Sequence, residues 1–196
     1  MAREYTYMPF GKGAHRLEVV LERKVRRDGY AGFVVSKQFS ETIGIVVRED
    51  LLDEMNVRSV YITAKKDGSN PCIISSSDTF VRIKRGCIAD RFSLLHEVGH
   101  YVCGHLVDPP ELEEENAMRE RLLEENQVSQ DELDADAFAV NYLGAESVAR
   151  ALQESMERRF AADLAYGVAE EDISKKALWE YQLRIDAIND RFCLGE

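Results

Sequence analysis

Apolar positions fall in short β-favouring runs through much of the first half of the chain and at helical spacing through the second, and this change of period organises the sequence. Leu17, Val20, Leu21 and Val25 recur at helical spacing before an Asp28-Gly29 stop, which predicts a helix behind a tyrosine-bearing lead within residues 1 to 30. Phe33-Val34-Val35, Ile43 to Val47, Val60-Tyr61-Ile62, Cys72-Ile73-Ile74 and Phe80 to Ile83 read as strands. A short helix is expected at Asp50 to Asn56, and Lys66 to Pro71 has the composition of a turn. The run at Phe80 to Ile83 is expected to present an edge to which an extended chain could add. After Arg85-Gly86 the pattern predicts helices over 90–104, 111–126, 130–143, 145–165 and 172–192, with Gly144 and Gly167 as breaks. Leu178, Tyr181, Leu183, Ile185 and Ile188 give the last of these a broad apolar stripe, the pattern of a helix packed on a domain.

The predicted helix over 90–104 carries His96-Glu97-Val98-Gly99-His100. Side chains at i and i+4 leave a helix on one face, so His96 and His100 can grip a single cation. Glu97 is turned about 100° from His96, beside the ion and not on it, where a general base for hydrolysis belongs. Asp90 is placed to cap the start of this helix and Gly104 to stop it.

A catalytic zinc site needs a third protein ligand from another element. The best candidate segment runs from Asp131 to Ala139, where Glu132 and Asp136 are again i and i+4. Glu132 is assigned as the ligand, and Asp136 as the carboxylate behind it that accepts the ring N–H of a ligating histidine and fixes its tautomer. Ser129-Gln130-Asp131-Glu132 also reads as a capping box, in which Glu132 would bond back to the backbone; a histidine pair in need of a partner favours ligation. Asp131 and Asp134 are fallback ligands. Cys103 could close the site into a structural one, although a thiol on an apolar helix face is more often core packing. His105, five residues after His100, is carried off the ligand face.

These two segments resemble the ImmA/IrrE family of bacterial metallopeptidases. The resemblance rests on Arg91-Phe92-Ser93-Leu94-Leu95-His96-Glu97-Val98-Gly99-His100 followed by Glu132-Leu133-Asp134-Ala135-Asp136-Ala137-Phe138-Ala139, and covers the middle third of the chain. It implies zinc held by His96, His100 and Glu132, with Glu97 as base, and a helix-turn-helix repressor as the protein cleaved. The fold it implies, joined to the pattern above, is α+β: a small zincin-like domain with a short, mostly antiparallel sheet beside the active-site helix, and a helical C-terminal half. On this expectation residues 1–143 form the metallopeptidase domain and 144–196 a helical extension packed on it. The acidic stretch from Glu111 to Glu125 departs from the family pattern, so no role carries over to it.

Composition narrows the partners. A formal net charge of −11 and a pI near 4.9 repel phosphate backbones, which argues against direct nucleic-acid binding and accommodates a basic protein; Glu111 to Glu125 is a candidate contact face for it. At 196 residues, 45% of them hydrophobic, one domain or one domain with a helical extension is expected, with a real core. Met1 to Tyr7 lacks the apolar segment of a signal peptide, no apolar run reaches membrane-spanning length, and Cys72, Cys87, Cys103 and Cys193 show no C-x-x-C pairing. The expectation is a cytoplasmic protein with reduced thiols and no membrane contact. The function expected is a zinc-dependent endopeptidase that relieves repression, with Tyr101, His105 and Tyr181 as candidates to stabilise the oxyanion. The alternative is a zinc-containing regulatory protein that sequesters a basic DNA-binding partner without cutting it.

Overall fold

The computed structural model describes residues 5–10, 17–24, 29–36, 43–48, 60–63, 72–105, 112–170, 173 and 175–192. From Cys72 onward 81% of these residues are helical, with a single short strand and no sheet within that stretch. This corrects the expected architecture: the part of the chain that carries the site is not an α+β domain with an antiparallel sheet. It is a body of helices, α1 (Ser77–Arg85), α2 (Ile88–Cys103), α3 (Leu112–Glu124), α4 (Gln130–Leu143), α5 (Ala145–Ala165) and α6 (Lys175–Phe192), entered through strand β6 (Cys72–Ser76). Ahead of it lie the backbone strands β1 (Tyr5–Phe10), β2 (Leu17–Lys24), β3 (Gly29–Ser36), β4 (Ile43–Arg48) and β5 (Val60–Thr63), in the order β1-β2-β3-β4-β6-β5. β6 runs parallel to β4, with Gly44 opposite Cys72, and antiparallel to β5.

Two segments change type. Phe80 to Ile83, expected as a strand, lies inside α1, so it offers no edge for an added chain. Its ends explain why: the Ser76 hydroxyl accepts from the Thr79 N–H at 3.1 Å, Asp78 sits in the first turn, and Gly86 closes the helix with φ 88°. These caps outweigh the β preference of Phe80, Val81 and Ile83. Leu17 to Lys24, expected as a helix, is strand β2, with Leu17 opposite Ser36 on β3 and Phe10 on β1. Leu17, Val19 and Leu21 alternate with Glu18, Val20 and Glu22, so a period of two was present beside the helical one. The expected short helix at Asp50 to Asn56 and the turn at Lys66 to Pro71 lie outside the described residues.

Helix α2 ends at Gly104, as expected, with φ 80° and its N–H on the carbonyls of His100 and Tyr101. Its start differs. The N-cap is Cys87, and Asp90 does not cap; buried within the first turn, its carboxylate accepts from Arg82 Nε of α1 and Arg158 Nη1 of α5, each at 3.0 Å. Asp90 thereby ties three helices at the base of the one that carries the histidines.

The apolar cluster joins Phe92, Leu94, Leu95 and Val98 of α2 to Ala139, Val140 and Tyr142 of α4, Val148, Ala151 and Leu152 of α5, and Ile185 and Ile188 of α6. α2 and α4 pack backbone against backbone at Gly99. A Cβ there would stand 2.9 Å from both the Cα and the carbonyl oxygen of Ala135, and 3.1 Å from Phe138 Cβ. Backbone cannot retreat as a flexible side chain can, so only glycine permits this contact. No described helix is long and apolar enough to cross a membrane.

Gly99→Ala should force α2 and α4 apart and cost about 1–3 kcal/mol as an overpacked contact. Thermal denaturation and metal titration measure this; an unchanged midpoint with undiminished metal affinity would show that the helices tolerate the extra methyl.

Candidate metal centre

His96, Glu97 and His100 come from consecutive turns of α2, and Glu132 and Asp136 from the first two turns of α4. Packing α2 on α4 at Gly99 sets these two i, i+4 pairs against each other. His96 Nε2 lies 2.9 Å from His100 Nε2 and 3.2 Å from Glu132 Oε2, and His100 Nε2 lies 3.8 Å from Glu132 Oε1. One ligand atom from each of the three residues falls within 4.8 Å of the others, in a group that is largely buried. The group can hold a metal ion.

The surroundings prepare it to do so. His96 Nδ1 lies 2.9 Å from Asp136 Oδ1, a carboxylate oxygen that can only accept, so this nitrogen carries the N–H while Nε2 faces His100 and Glu132. Two imidazole nitrogens 2.9 Å apart with a carboxylate oxygen beside them need a proton or a cation among them. Ligands at zinc distances in a tetrahedron stand about 3.3 Å apart, close to the separations found here. Donor type and spacing therefore both suit a metal ion.

Glu132 serves twice. Its backbone N–H donates to Ser129 Oγ at 3.4 Å, so Ser129 caps α4 as the capping box foresaw, while the Glu132 carboxylate turns toward the histidines. Glu97 is buried at 5% exposure beside His96. Asp131 and Asp134, the fallback ligands, point elsewhere: Asp131 Oδ1 lies 3.5 Å from His105 Nε2, and Asp134 Oδ1 accepts from Gln130 Nε2 at 2.8 Å. Cys103 is exposed and lies outside the donor group, and partial burial together with Asp134 and Asp131 pushes its thiol pKa up. The closed-site reading thus gains nothing from the geometry. His105 is off the ligand face, as its spacing predicts, yet its Nδ1 stands 3.3 Å from His100 Nδ1 and so backs the second histidine. Tyr101 and Tyr181 pack against the apolar cluster.

Sequence reasoning missed two arginines. Arg184 of α6, buried at 6% exposure, forks onto Asp136, with Nε 2.8 Å from Oδ2 and Nη2 2.6 Å from Oδ1. Its Nη1 lies 3.2 Å from Glu132 Oε2. Arg119 of α3 lies 3.3 Å from Glu132 Oε1 and pairs tightly with Glu180 of α6. The signal for Arg184 was present: it shares a helical face with Tyr181, Ile185 and Ile188, so the periodicity that marked the stripe also placed a guanidinium inside it.

These charges set the protonation of the centre. Burial raises the Asp136 pKa, but Arg184 and the His96 hydrogen bond overcome it and hold the carboxyl below its ordinary 3.8. For His96, burial and Arg184 press downward while hydrogen bonds to Asp136 and Glu132 press upward, and the balance lies above 6.5. Burial likewise opposes the charge of Arg119, and Glu132 and Glu180 reverse the effect. Comparison of the chain with protein-family models, with curated proteins and with solved structures returns no match.

The shifts predict a two-sided pH dependence for metal-stripped protein. A lowered Asp136 pKa gives stability that is full above the unfolded value near 3.8 and lost as pH falls through the folded one. A raised His96 pKa gives stability that is full below 6.5 and lost as pH rises through the folded value. The difference in urea midpoint between wild type and Asp136→Asn should accordingly peak between these limits, vanish in acid and decline only in part on the alkaline side, where Arg184 still pairs with Asp136. A difference independent of pH would contradict the assigned couplings.

Proposed function

We propose that this chain is a zinc-dependent endopeptidase of the ImmA/IrrE kind that cleaves a helix-turn-helix repressor. The observation that carries the reading is the convergence of His96, His100 and Glu132, a group open to a metal, with Glu97 buried beside it. Two imidazoles and one carboxylate match a catalytic zinc set, in which one position stays open to water. Zinc bound there would supply a Lewis acid for the scissile carbonyl and lower the pKa of water at the site.

The chain's own residues do the remaining work. Asp136 holds the His96 ring in one tautomer, and Arg184 holds Asp136. His105 backs His100. Glu97 takes a proton from the attacking water and returns it to the departing amine. Its place next to His96 on the same helix suits that exchange, because the reacting atoms must gather where the histidine nitrogens point. The substrate class rests on the resemblance and on charge: a chain at −11 attracts a basic partner, and a repressor is basic on the face that reads DNA.

Glu97→Gln should reduce cleavage of a helix-turn-helix repressor that the wild-type protein cuts by about 100-fold or more, the usual weight of a positioned base, with zinc content unchanged. Intact-mass measurement of the repressor and metal analysis of both proteins read the two quantities. A repressor that remains whole in a stable complex with wild-type protein would favour sequestration without cleavage, and cleavage retained by the variant would remove Glu97 as base.

A further inference from the structure

Arg184 lies 48 residues beyond Asp136 and 88 beyond His96 in sequence, yet it contacts both halves of the metal centre. Two of its nitrogens clasp the Asp136 carboxylate and the third reaches Glu132 Oε2. It therefore spans from the carboxylate that orients His96 to the carboxylate that completes the donor group. Glu132 also receives Arg119, whereas among the described residues Arg184 is the arginine paired with Asp136, on the carboxylate that also holds the His96 ring. Asp136 is fully buried. Two carboxylates one turn apart on a buried helix face repel each other and resist desolvation unless a counter-charge is present. A guanidinium supplies that charge in a fixed planar fork, which an ammonium cannot copy.

We infer that Arg184 is a positioning residue that keeps the metal-free centre assembled, standing as counter-cation to Asp136 and Glu132 so that the ion enters a preformed site. The inference rests on the reading of His96, His100 and Glu132 as a metal-binding group and is independent of any cleavage. It makes α6 a working part of the centre, although no residue of α6 belongs to the donor group. A metal ion and Arg184 then act in the same direction, because both offset the Glu132 carboxylate, and an ion on His96 strengthens its N–H bond to Asp136. The cost of losing Arg184 should depend on whether metal is bound. An arginine that merely packs α6 against α4 would cost the same in both states.

The experiment is thermal unfolding of the full chain, metal-stripped and with saturating zinc, for wild type, Arg184→Met, Arg184→Lys, Asp136→Asn and the Arg184→Met/Asp136→Asn double variant. Metal-stripped Arg184→Met should melt roughly 10 °C below wild type, as expected when a buried charge loses its partner in a chain of this size. Asp136→Asn in that background should recover at least half of the deficit, and zinc should also halve it. Arg184→Lys, which keeps the charge without the fork, should fall between wild type and Arg184→Met. It keeps the test decisive should Arg184→Met fail to fold. A deficit equal with and without zinc, or additive with Asp136→Asn, overturns the inference. Absence of a zinc-induced shift in wild type would strike the metal assignment itself, while coupling between Arg184 and Asp136 in the metal-stripped proteins still decides the role of Arg184.

Discussion

The centre depends on how near α2 can come to α4. The histidines lie on one helix and the carboxylates on the other, each pair fixed by a four-residue spacing, so the only free quantity is the distance and rotation between two rods. Gly99 sets it. Where a Cβ would lie 2.9 Å from the backbone of Ala135, the helix axes approach more closely than any side chain would allow. That proximity brings Glu132 Oε2 within 3.2 Å of His96 Nε2 and Asp136 Oδ1 within 2.9 Å of His96 Nδ1. One imidazole is addressed from both sides by residues one turn apart on the facing helix. Phe92, Leu95 and Val98 on α2, and Ala139 and Val140 on α4, bury the rest of the interface and prevent sliding along it.

Such packing carries an electrostatic consequence. Bringing Glu132 and Asp136 into the interior adds two buried carboxylates to that of Glu97, in a chain that is already strongly acidic. Burial alone disfavours a charged carboxylate, and a group that could hold a metal or orient an imidazole needs that charge. The chain answers from outside the two helices: α3 sends Arg119 and α6 sends Arg184, each to a carboxylate oxygen of Glu132. Asp90 repeats the arrangement at the base of α2, buried between Arg82 and Arg158. Arginines thus lie where buried acids need them, and the helices of the body are joined through acids as well as through apolar contacts.

Much of this was legible in the residues, and what was not has identifiable causes. The helices over 112–124, 130–143 and 145–165 and the stop at Gly104 follow from periodicity and capping, which act within a few residues. His96, His100 and Glu132 could be paired because their spacing and chemistry are specific together. Phe80 to Ile83 misled because β propensity is a weak preference that the caps at Ser76 and Gly86 outweigh. Leu17 to Lys24 satisfied two periods at once, and only pairing with neighbouring strands decides between them. The antiparallel α+β architecture failed because the part of the chain that carries the site is built of helices behind one short strand; of the expected β runs only Cys72-Ile73-Ile74 and Phe80 to Ile83 fall there, and the second is helix α1. Arg184 went unread because an arginine amid an apolar stripe is ordinarily taken to extend its charge outward, and the carboxylate that draws it inward is 48 residues away.

Glu132 shows why the two readings of its segment were not rivals. A capping box engages the backbone N–H and the side chain of the same glutamate; in α4 Ser129 takes the N–H, and the carboxylate lies against His96 and Arg184. The third residue of a helix is a favourable place for such a ligand. Backbone position there is fixed by the cap, the unsatisfied N–H groups of the first turn favour a negative charge, and Asp136 follows one turn later on the same face. A ligand deeper in the helix would lack the first two advantages, and one in the preceding loop would lack the register with Asp136. The start of α4 is therefore where a single carboxylate can be held rigid and in step with the residue that orients its neighbouring imidazole.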